Sequence, residues 1–140
     1  SDANAYFSAN KCLDDMGTLC ESSSTFHLTC CLIELALQCE TSLIFDQQII
    51  GISSFVVACY LCGWAKIHWY PSFLEVYGEH KDYDEIYDCC SHLLGVYKLA
   101  QKRIEKLKTA CAHSILKYCR KEHKRVATIV PPQKMMQKFW

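Results

Sequence analysis

Two segments of helical length carry almost no charge, and they constrain the fold more than any other feature of this sequence. Residues 26–39 include a single acidic side chain, and residues 49–62 include no charged side chain at all. A surface helix shows one apolar stripe, whereas a helix that is apolar on every side is enclosed by other helices or by lipid. The surroundings of residues 49–62 therefore determine the class of protein.

Lipid is the weaker of these two environments. A transmembrane helix needs about 20 consecutive apolar residues, but Asp46 and Lys66 bound the second segment closely, and the first segment contains His27 and Glu34. The chain opens with polar residues instead of a basic flank and an apolar core, so we expect no signal peptide. We therefore expect a soluble protein that does not contact a membrane and has one helix at its centre.

The length and composition suit one all-α domain. A chain of 140 residues buries about two-thirds of its unfolded surface, and three prolines and five glycines favour long helices over short strands. The eleven cysteines are odd in number and fall mostly within apolar runs. Since no secretory signal is expected, we interpret them as reduced thiols that pack as small core residues, in the nucleus and cytoplasm.

The first half of the chain predicts two helices after a less regular start. Residues 4–20 have moderate helical periodicity, which predicts an incomplete helix or a packed arm. The serines at 22–24 are candidate N-caps for a helix that ends near residue 39. Asp46 and Gly63 then bound a buried central helix at about 47–62.

The second half predicts three more helices and a tail. Pro71 suits the first turn of a short helix that ends at Gly78, and a capping pattern at residue 82 opens a helix that ends near residue 101. A last helix at about 102–122 precedes an extended tail. The prediction is an all-α bundle of five to six helices around the central one. The residues expected in its core are Leu32, Leu35, Ile52, Phe55, Val56, Cys59 and Leu93.

The net charge of zero conceals an uneven distribution. Residues 1–97 carry 13 acidic and 3 basic side chains, whereas residues 98–140 carry 2 acidic and 12 basic ones. Two interpretations are open for this asymmetry. The basic residues form a partner-binding surface, or the basic helix lies against the acidic half of its own domain. The sequence favours a solvated helix face or an acidic protein partner over nucleic acid, because the acidic half would repel a polyanion. The candidate partner-binding residues are Lys98, Lys102, Arg103, Lys106, Lys121, Lys124 and Arg125.

Patterns for catalysis or metal binding are weak. The six histidines are scattered, and no glycine-rich turn presents a nucleophile or surrounds a phosphate. The single C-x-x-C pair, Cys59 and Cys62, lies inside the most apolar helix, whereas structural zinc sites usually have two such pairs. We therefore expect no catalytic residue, metal or cofactor, and a thiol or zinc enzyme is the weakest alternative.

Several segments, taken in order, have counterparts in one protein family. The first motif is Leu32-Ile33-Glu34-Leu35-Ala36-Leu37, and the small-residue run at 49–61 follows it. Residues 69–78 begin with Trp69-Tyr70-Pro71, and residues 89–97 form the next match. The most specific part is the ending, with Tyr118, His123-Lys124-Arg125-Val126-Ala127 and Pro131-Pro132. These segments resemble the C-terminal cyclin box of mitotic, A/B-type cyclins, including its "KY…H..VA…PP" ending, although residues 97–118 are longer here.

The resemblance implies both an architecture and a function. It implies a cyclin box at residues 22–125, between an N-terminal arm or partial first helix at 1–21 and an extended tail at 126–140. The implied function is that of a non-catalytic regulatory domain in a cyclin-dependent kinase complex that controls the cell cycle. In that family most kinase contacts lie in an N-terminal box, which has no counterpart in these 140 residues. The alternative is a cyclin-fold adaptor that binds nucleic acid or an acidic partner through the basic C-terminal third.

Overall fold

The computed structural model describes residues 4–78, 82–103, 116–132 and 136. Every regular element within these residues is helical, which confirms the all-α prediction. The α-helices are α1 (Ala5–Met16), α2 (Ser24–Gln38), α3 (Thr41–Ile44), α4 (Gln47–Leu61), α5 (Lys66–Tyr77) and α6 (Tyr83–Arg103). Two 3₁₀ helices follow, η1 (Lys121–His123) and η2 (Val126–Thr128). None of the helices in the described ranges is long and apolar enough to cross a membrane.

Helix α4 is the centre of the bundle, as its uncharged sequence predicts. Twelve of its fifteen residues are buried, and α1, α2 and α6 pack around it. The carboxylate of Asp46 caps its first turn by accepting a backbone amide at 2.9 Å. At the other end Gly63 has a φ of 81°, and the amides of Gly63 and Trp64 donate to the carbonyls of Tyr60 and Cys59. This hydrogen-bond pair forms a Schellman termination, so both predicted ends of the helix are right.

Helix α1 belongs to the core and lies very close to α4. Four of its five buried residues are small, namely Ala5, Ser8, Ala9 and Cys12. A Cβ atom added at Gly51 of α4 would clash with the backbone carbonyl oxygen of Ala5. Small residues on both helices therefore allow the two backbones to approach each other. Of the two alternatives predicted for residues 4–20, an incomplete helix and a packed arm, the structure has a helix, at residues 5–16.

Helix α5 begins earlier than predicted. It starts at Lys66, so Pro71 lies inside the helix instead of in its first turn. A proline inside a helix removes one backbone donor, and aromatic packing stabilises the helix around it: the ring of Phe73 lies 5.6 Å from the ring of Tyr83 on α6. The predicted end at Gly78 is right, since Gly78 has a φ of 87° and caps the helix.

Helix α6 starts at its predicted cap and continues beyond its predicted end. The carboxylate of Asp82 accepts the amide of Glu85 at 3.2 Å. The helix then runs to Arg103 and not to Gln101, because Leu99 and Lys102 are compatible with helix and no glycine or proline interrupts this stretch. Residues 104–115, which include most of the predicted last helix, lie outside the described residues.

Several of the described residues after position 115 pack against the bundle. Residues 116–118 are helical, and the predicted extended tail instead begins with the 3₁₀ helix η2. Val126 and Ala127 are buried in it, and Met136 is also buried. These apolar side chains keep the tail on the domain because their exposure to water would be unfavourable.

The predicted core lies where the sequence pattern puts it, and one cysteine differs from expectation. All seven predicted core residues have no exposed surface: Leu32, Leu35, Ile52, Phe55, Val56, Cys59 and Leu93.

Nine cysteines within the described residues are free thiols. Cys39 is disulfide-bonded, which corrects the prediction of reduced thiols throughout. It is half-buried and lies at the C-terminal cap of α2 with an extended backbone.

Candidate functional site

The chain after η1 is attached to the C-terminal end of α6 by side-chain hydrogen bonds. The hydroxyl of Tyr97 lies 3.0 Å from the carbonyl oxygen of Val126 and 2.7 Å from that of Ile129. The amide nitrogen of Gln101 donates to the carbonyls of Ala127 and Ile129, both at 2.8 Å. Burial raises the pKa of the Tyr97 phenol, so its hydroxyl remains a donor. Residues 126–129 are therefore held at a defined position beside α6.

A turn between η1 and η2 carries two of the predicted basic residues in an unusual backbone conformation. Lys124 and Arg125 have φ values of 58° and 53°, a region that residues other than glycine rarely adopt. Their amides donate to the carbonyls of Lys121 and Arg120, both at 3.0 Å. These hydrogen bonds hold the turn and present both basic side chains to solvent.

The predicted basic residues lie in two groups. The hydrogen bonds from Tyr97 and Gln101 to residues 126–129 bring these groups to one side of the domain. One group is at the end of α6, and the other follows residue 120; six of the residues are exposed: Lys98, Lys102, Arg103, Lys121, Lys124 and Arg125. Lys106, the seventh, lies outside the described residues. Because Gln101 is bonded to Ala127, the turn with Lys124 and Arg125 is near the end of α6.

A groove lies between the end of α6 and the tail. Its volume is about 350 Å³, and we call it the α6 groove. Its lining residues are Lys98, Gln101, Lys102, Val130, Pro131 and Pro132. One wall is therefore basic and belongs to α6, and the other wall is apolar and belongs to the tail.

Another part of the basic third is neutralised within the domain. The ammonium group of Lys117 lies 3.0 Å from the carboxylate of Glu34 on α2. This ion pair supports the reading in which basic residues lie against the acidic half of their own domain. Among the described residues of the basic third, Lys117 alone has such an ion pair, and Lys98 and Lys102 have none.

Two histidines from distant parts of the sequence meet where η1 packs against α2. The Nδ1 atoms of His27 and His123 are 3.3 Å apart, and the ring of His123 also lies 4.6 Å from that of Tyr118. The Nε2 atom of His27 lies 2.7 Å from the carbonyl oxygen of Glu21. Both histidines line an open depression of about 390 Å³.

Hydrogen-bond rules assign the protons in this pair. A carbonyl oxygen only accepts, so His27 carries its proton on Nε2 and, when neutral, accepts at Nδ1. His123 must then donate from its own Nδ1. Burial first, and the nearby His27 and Lys117 next, lower the pKa of His123. The sequence reasoning missed this contact because 96 positions separate the two residues, although His123 belongs to the ending that carries the family resemblance.

The thiols and the potential metal ligands form no reactive cluster in the described part of the chain. Burial raises the pKa of Cys12 to about 12 and that of Cys30 to about 11, so both thiols stay protonated near neutral pH. Cys59 and Cys62 are both free, and burial raises the pKa of each. Within the described residues no three or more histidine, cysteine or acidic side chains are arranged to hold a metal ion.

The chain matches no protein-family profile, no curated protein and no solved structure. A functional assignment therefore rests on the geometry above and on the sequence resemblance.

Proposed function

We propose that this chain is a non-catalytic, protein-binding domain of the cyclin type, which acts as part of a cyclin-dependent kinase complex in control of the cell cycle. The observation that carries the proposal is the uncharged helix α4, enclosed by α1, α2 and α6. A buried central helix in this position along the chain is what a C-terminal cyclin box requires. The expected sites of action are the nucleus and cytoplasm.

Contacts between the resemblance motifs support the proposal. Glu34 comes from the first motif, and Lys117 and Tyr118 come from the ending, more than 80 positions later. Glu34 pairs with Lys117 at 3.0 Å, and burial first, then the Glu34 carboxylate, raises the pKa of Tyr118. The motifs therefore act together in holding the C-terminal segment on α2.

The remaining residues of the ending also have structural contacts. The ring of His123 contacts the rings of Tyr118 and His27, and Val126 and Ala127 are buried where η2 packs against α2. These contacts support the proposal because the residues of the ending depend on one another for their positions.

A binding experiment with purified components tests the proposal. The chain and the longest natural protein that contains it would each be immobilised and mixed with recombinant cyclin-dependent kinase subunits. An unrelated protein kinase serves as the control. We expect the natural protein to retain a cyclin-dependent kinase and not the control kinase.

Two results would contradict the proposal. One is that neither protein retains any cyclin-dependent kinase tested. The other is a salt-dependent gel shift with duplex DNA that is lost on charge reversal at Lys102 and Arg103, because this result would favour the nucleic-acid adaptor.

A further inference from the structure

The α6 groove has a charge and shape that no contact within the described residues satisfies. None of its six lining residues is acidic, and two of them are lysines. Neither Lys98 nor Lys102 makes an ion pair with any described residue. On the opposite wall Val130 is 79% exposed. Two ammonium groups therefore face an exposed apolar surface across a cavity of about 350 Å³.

The walls of the groove are held in place before any partner binds. Tyr97 and Gln101 on α6 donate hydrogen bonds of 2.7 to 3.0 Å to three carbonyls of the tail, those of Val126, Ala127 and Ile129. Pro131 and Pro132 have no backbone N–H group, so this wall cannot add a full strand to a partner chain. Recognition must then depend on side chains, through apolar contact and charge. A preformed site of this kind loses little conformational entropy on binding.

The spacing of the two lysines matches one type of ligand. Lys98 and Lys102 are four positions apart on α6, so their Cβ atoms are about 6 Å apart. In an extended chain, alternate side chains lie on one face, about 6.6 Å apart. We propose that the α6 groove binds an extended acidic segment of a partner protein. Two carboxylates of this segment, at alternate positions with one residue between them, contact the two lysines, and a neighbouring apolar side chain contacts Val130.

A second depression next to the groove lengthens the surface that a bound segment could contact. Lys98 also lines a smaller depression of about 170 Å³, with Tyr87, Ser91, Leu94, Gly95 and Met136. The two cavities follow α6 from Tyr87 to Lys102, a rise of about 22 Å. This length accommodates roughly six or seven extended residues. Together, the α6 groove and this depression are thus long enough for a short linear motif.

A short acidic segment fits this site better than a nucleic acid does. The first 97 residues carry 13 acidic and 3 basic side chains, and this net negative charge would repel a long polyanion. The apolar wall also has no aromatic ring among its groove-lining residues on which bases could stack. The inference goes beyond the proposed function and does not depend on the kinase, because the groove is tested with a peptide alone.

Fluorescence anisotropy with a labelled peptide tests the inference. The probe is fluorescein-labelled GLESELG, and the control peptide GLKSKLG replaces both glutamates by lysine. We expect saturable binding of the acidic peptide with a Kd of roughly 100 μM, weakened by salt, and no binding of the lysine peptide.

Matched variants assign the binding to the groove. The double variant Lys98→Glu, Lys102→Glu should weaken binding at least about tenfold, which corresponds to about 1.4 kcal/mol. The control variant Lys66→Glu, Arg120→Glu changes the net charge equally at exposed residues outside the groove, and it should retain most of the affinity. Val130→Ser should weaken binding severalfold without changing its salt dependence. All variants alter exposed residues, and an unchanged thermal melt verifies folding.

Three outcomes would overturn the inference. The first is no saturable binding of the acidic peptide up to about 1 mM, which is the weak end of specific recognition. The second is an equal loss in the control variant with Lys66 and Arg120 reversed in charge, which would indicate attraction by overall charge. The third is tighter binding of a labelled DNA duplex than of the peptide, with the same dependence on Lys98 and Lys102.

Discussion

Substitution of one buried glycine provides a sharp test of how α1 and α4 pack. Gly51 lies on α4, and a Cβ atom placed there would overlap the carbonyl oxygen of Ala5 and lie 2.8 Å from its carbonyl carbon and 3.1 Å from its Cα atom. All three are backbone atoms, which cannot rotate out of the way as a side chain can. In Gly51→Ala, α1 must therefore move as a unit, and the contacts of its small buried residues with α4 must loosen.

Two opposing terms set the expected size of the effect. Overpacking a dense core costs about 1–3 kcal/mol, and a clash with backbone belongs at the upper end. Alanine is a better helix former than glycine by about 1 kcal/mol. The net loss is then about 2 kcal/mol. For a domain of this size each kcal/mol shifts Tm by roughly 3 °C, so we expect Tm to fall by about 6 °C.

The same substitution at a second glycine is the matched control. Gly95 lies within α6, and a Cβ atom added there meets no atom within 4 Å. Gly95→Ala should therefore gain about 0.5–1 kcal/mol from helix propensity alone. Thermal and urea unfolding followed by circular dichroism measure both variants. The packing argument is refuted if Gly51→Ala is as stable as the unsubstituted protein, or if both variants lose the same stability.

Three further changes probe the core and the histidine pair. Val57→Asp places an unpaired charge at a fully buried position in α4, which costs several kcal/mol, and should abolish the cooperative thermal melt. The hydroxyl of Ser54 is buried without a hydrogen-bond partner in the described structure, so Ser54→Ala should raise stability in urea by about 1 kcal/mol relative to Ser91→Ala at an exposed helical position. The pKa of His123 in the folded state is below its unfolded value of about 6.5. The unfolded state therefore binds a proton more readily, and the free energy of unfolding should fall as the pH drops below about 6.5. His123→Asn keeps a donor but cannot be protonated, and its urea midpoint should depend less on pH.

Each of these predictions has an outcome that contradicts it. A cooperative melt in Val57→Asp would mean that this position is not enclosed. Equal effects of Ser54→Ala and Ser91→Ala would mean that the Ser54 hydroxyl has a partner in solution. For the histidine pair, His68→Asn is the control at an exposed histidine. If the urea midpoint loses its pH dependence equally in both variants, the effect is not specific to His123.

Local sequence signals were sufficient for the central helix. The run at 49–62 has no charge to place in solvent, and Asp46 and Gly63 are residue types that cap and end helices for local reasons. These features depend on neighbours within a few positions, so the buried helix and its ends were predictable. The core residues on α2 and α6 were predictable for the same reason, because helical periodicity identifies the buried face.

Features that depend on tertiary contacts were not predictable in this way. Pro71 was expected in the first turn of α5, but the helix begins at Lys66, and ring packing such as that of Phe73 on Tyr83 stabilises it around the proline. The close approach of Ala5 to Gly51 and the contact of His27 with His123 join distant parts of the chain. No local pattern encodes such a pairing.

The candidate site was partly predictable. The charge asymmetry identified Lys98 and Lys102 as members of a basic face, because charge can be read directly from composition. The apolar wall of the groove could not be identified from sequence. Val130 faces the lysines only because Tyr97 and Gln101 bind the preceding carbonyls, and those hydrogen bonds span about 30 positions.

Activation of a cyclin-dependent kinase is the most direct test of the proposed function. A purified catalytic subunit, inactive on its own, would be mixed with increasing amounts of the natural protein that contains this chain. Phosphate transfer from labelled ATP to a protein substrate is then measured. We predict that activity rises and saturates near an equimolar ratio, and that the Val57→Asp variant gives no activation. The absence of any activation or complex with every cyclin-dependent kinase tested would contradict the account.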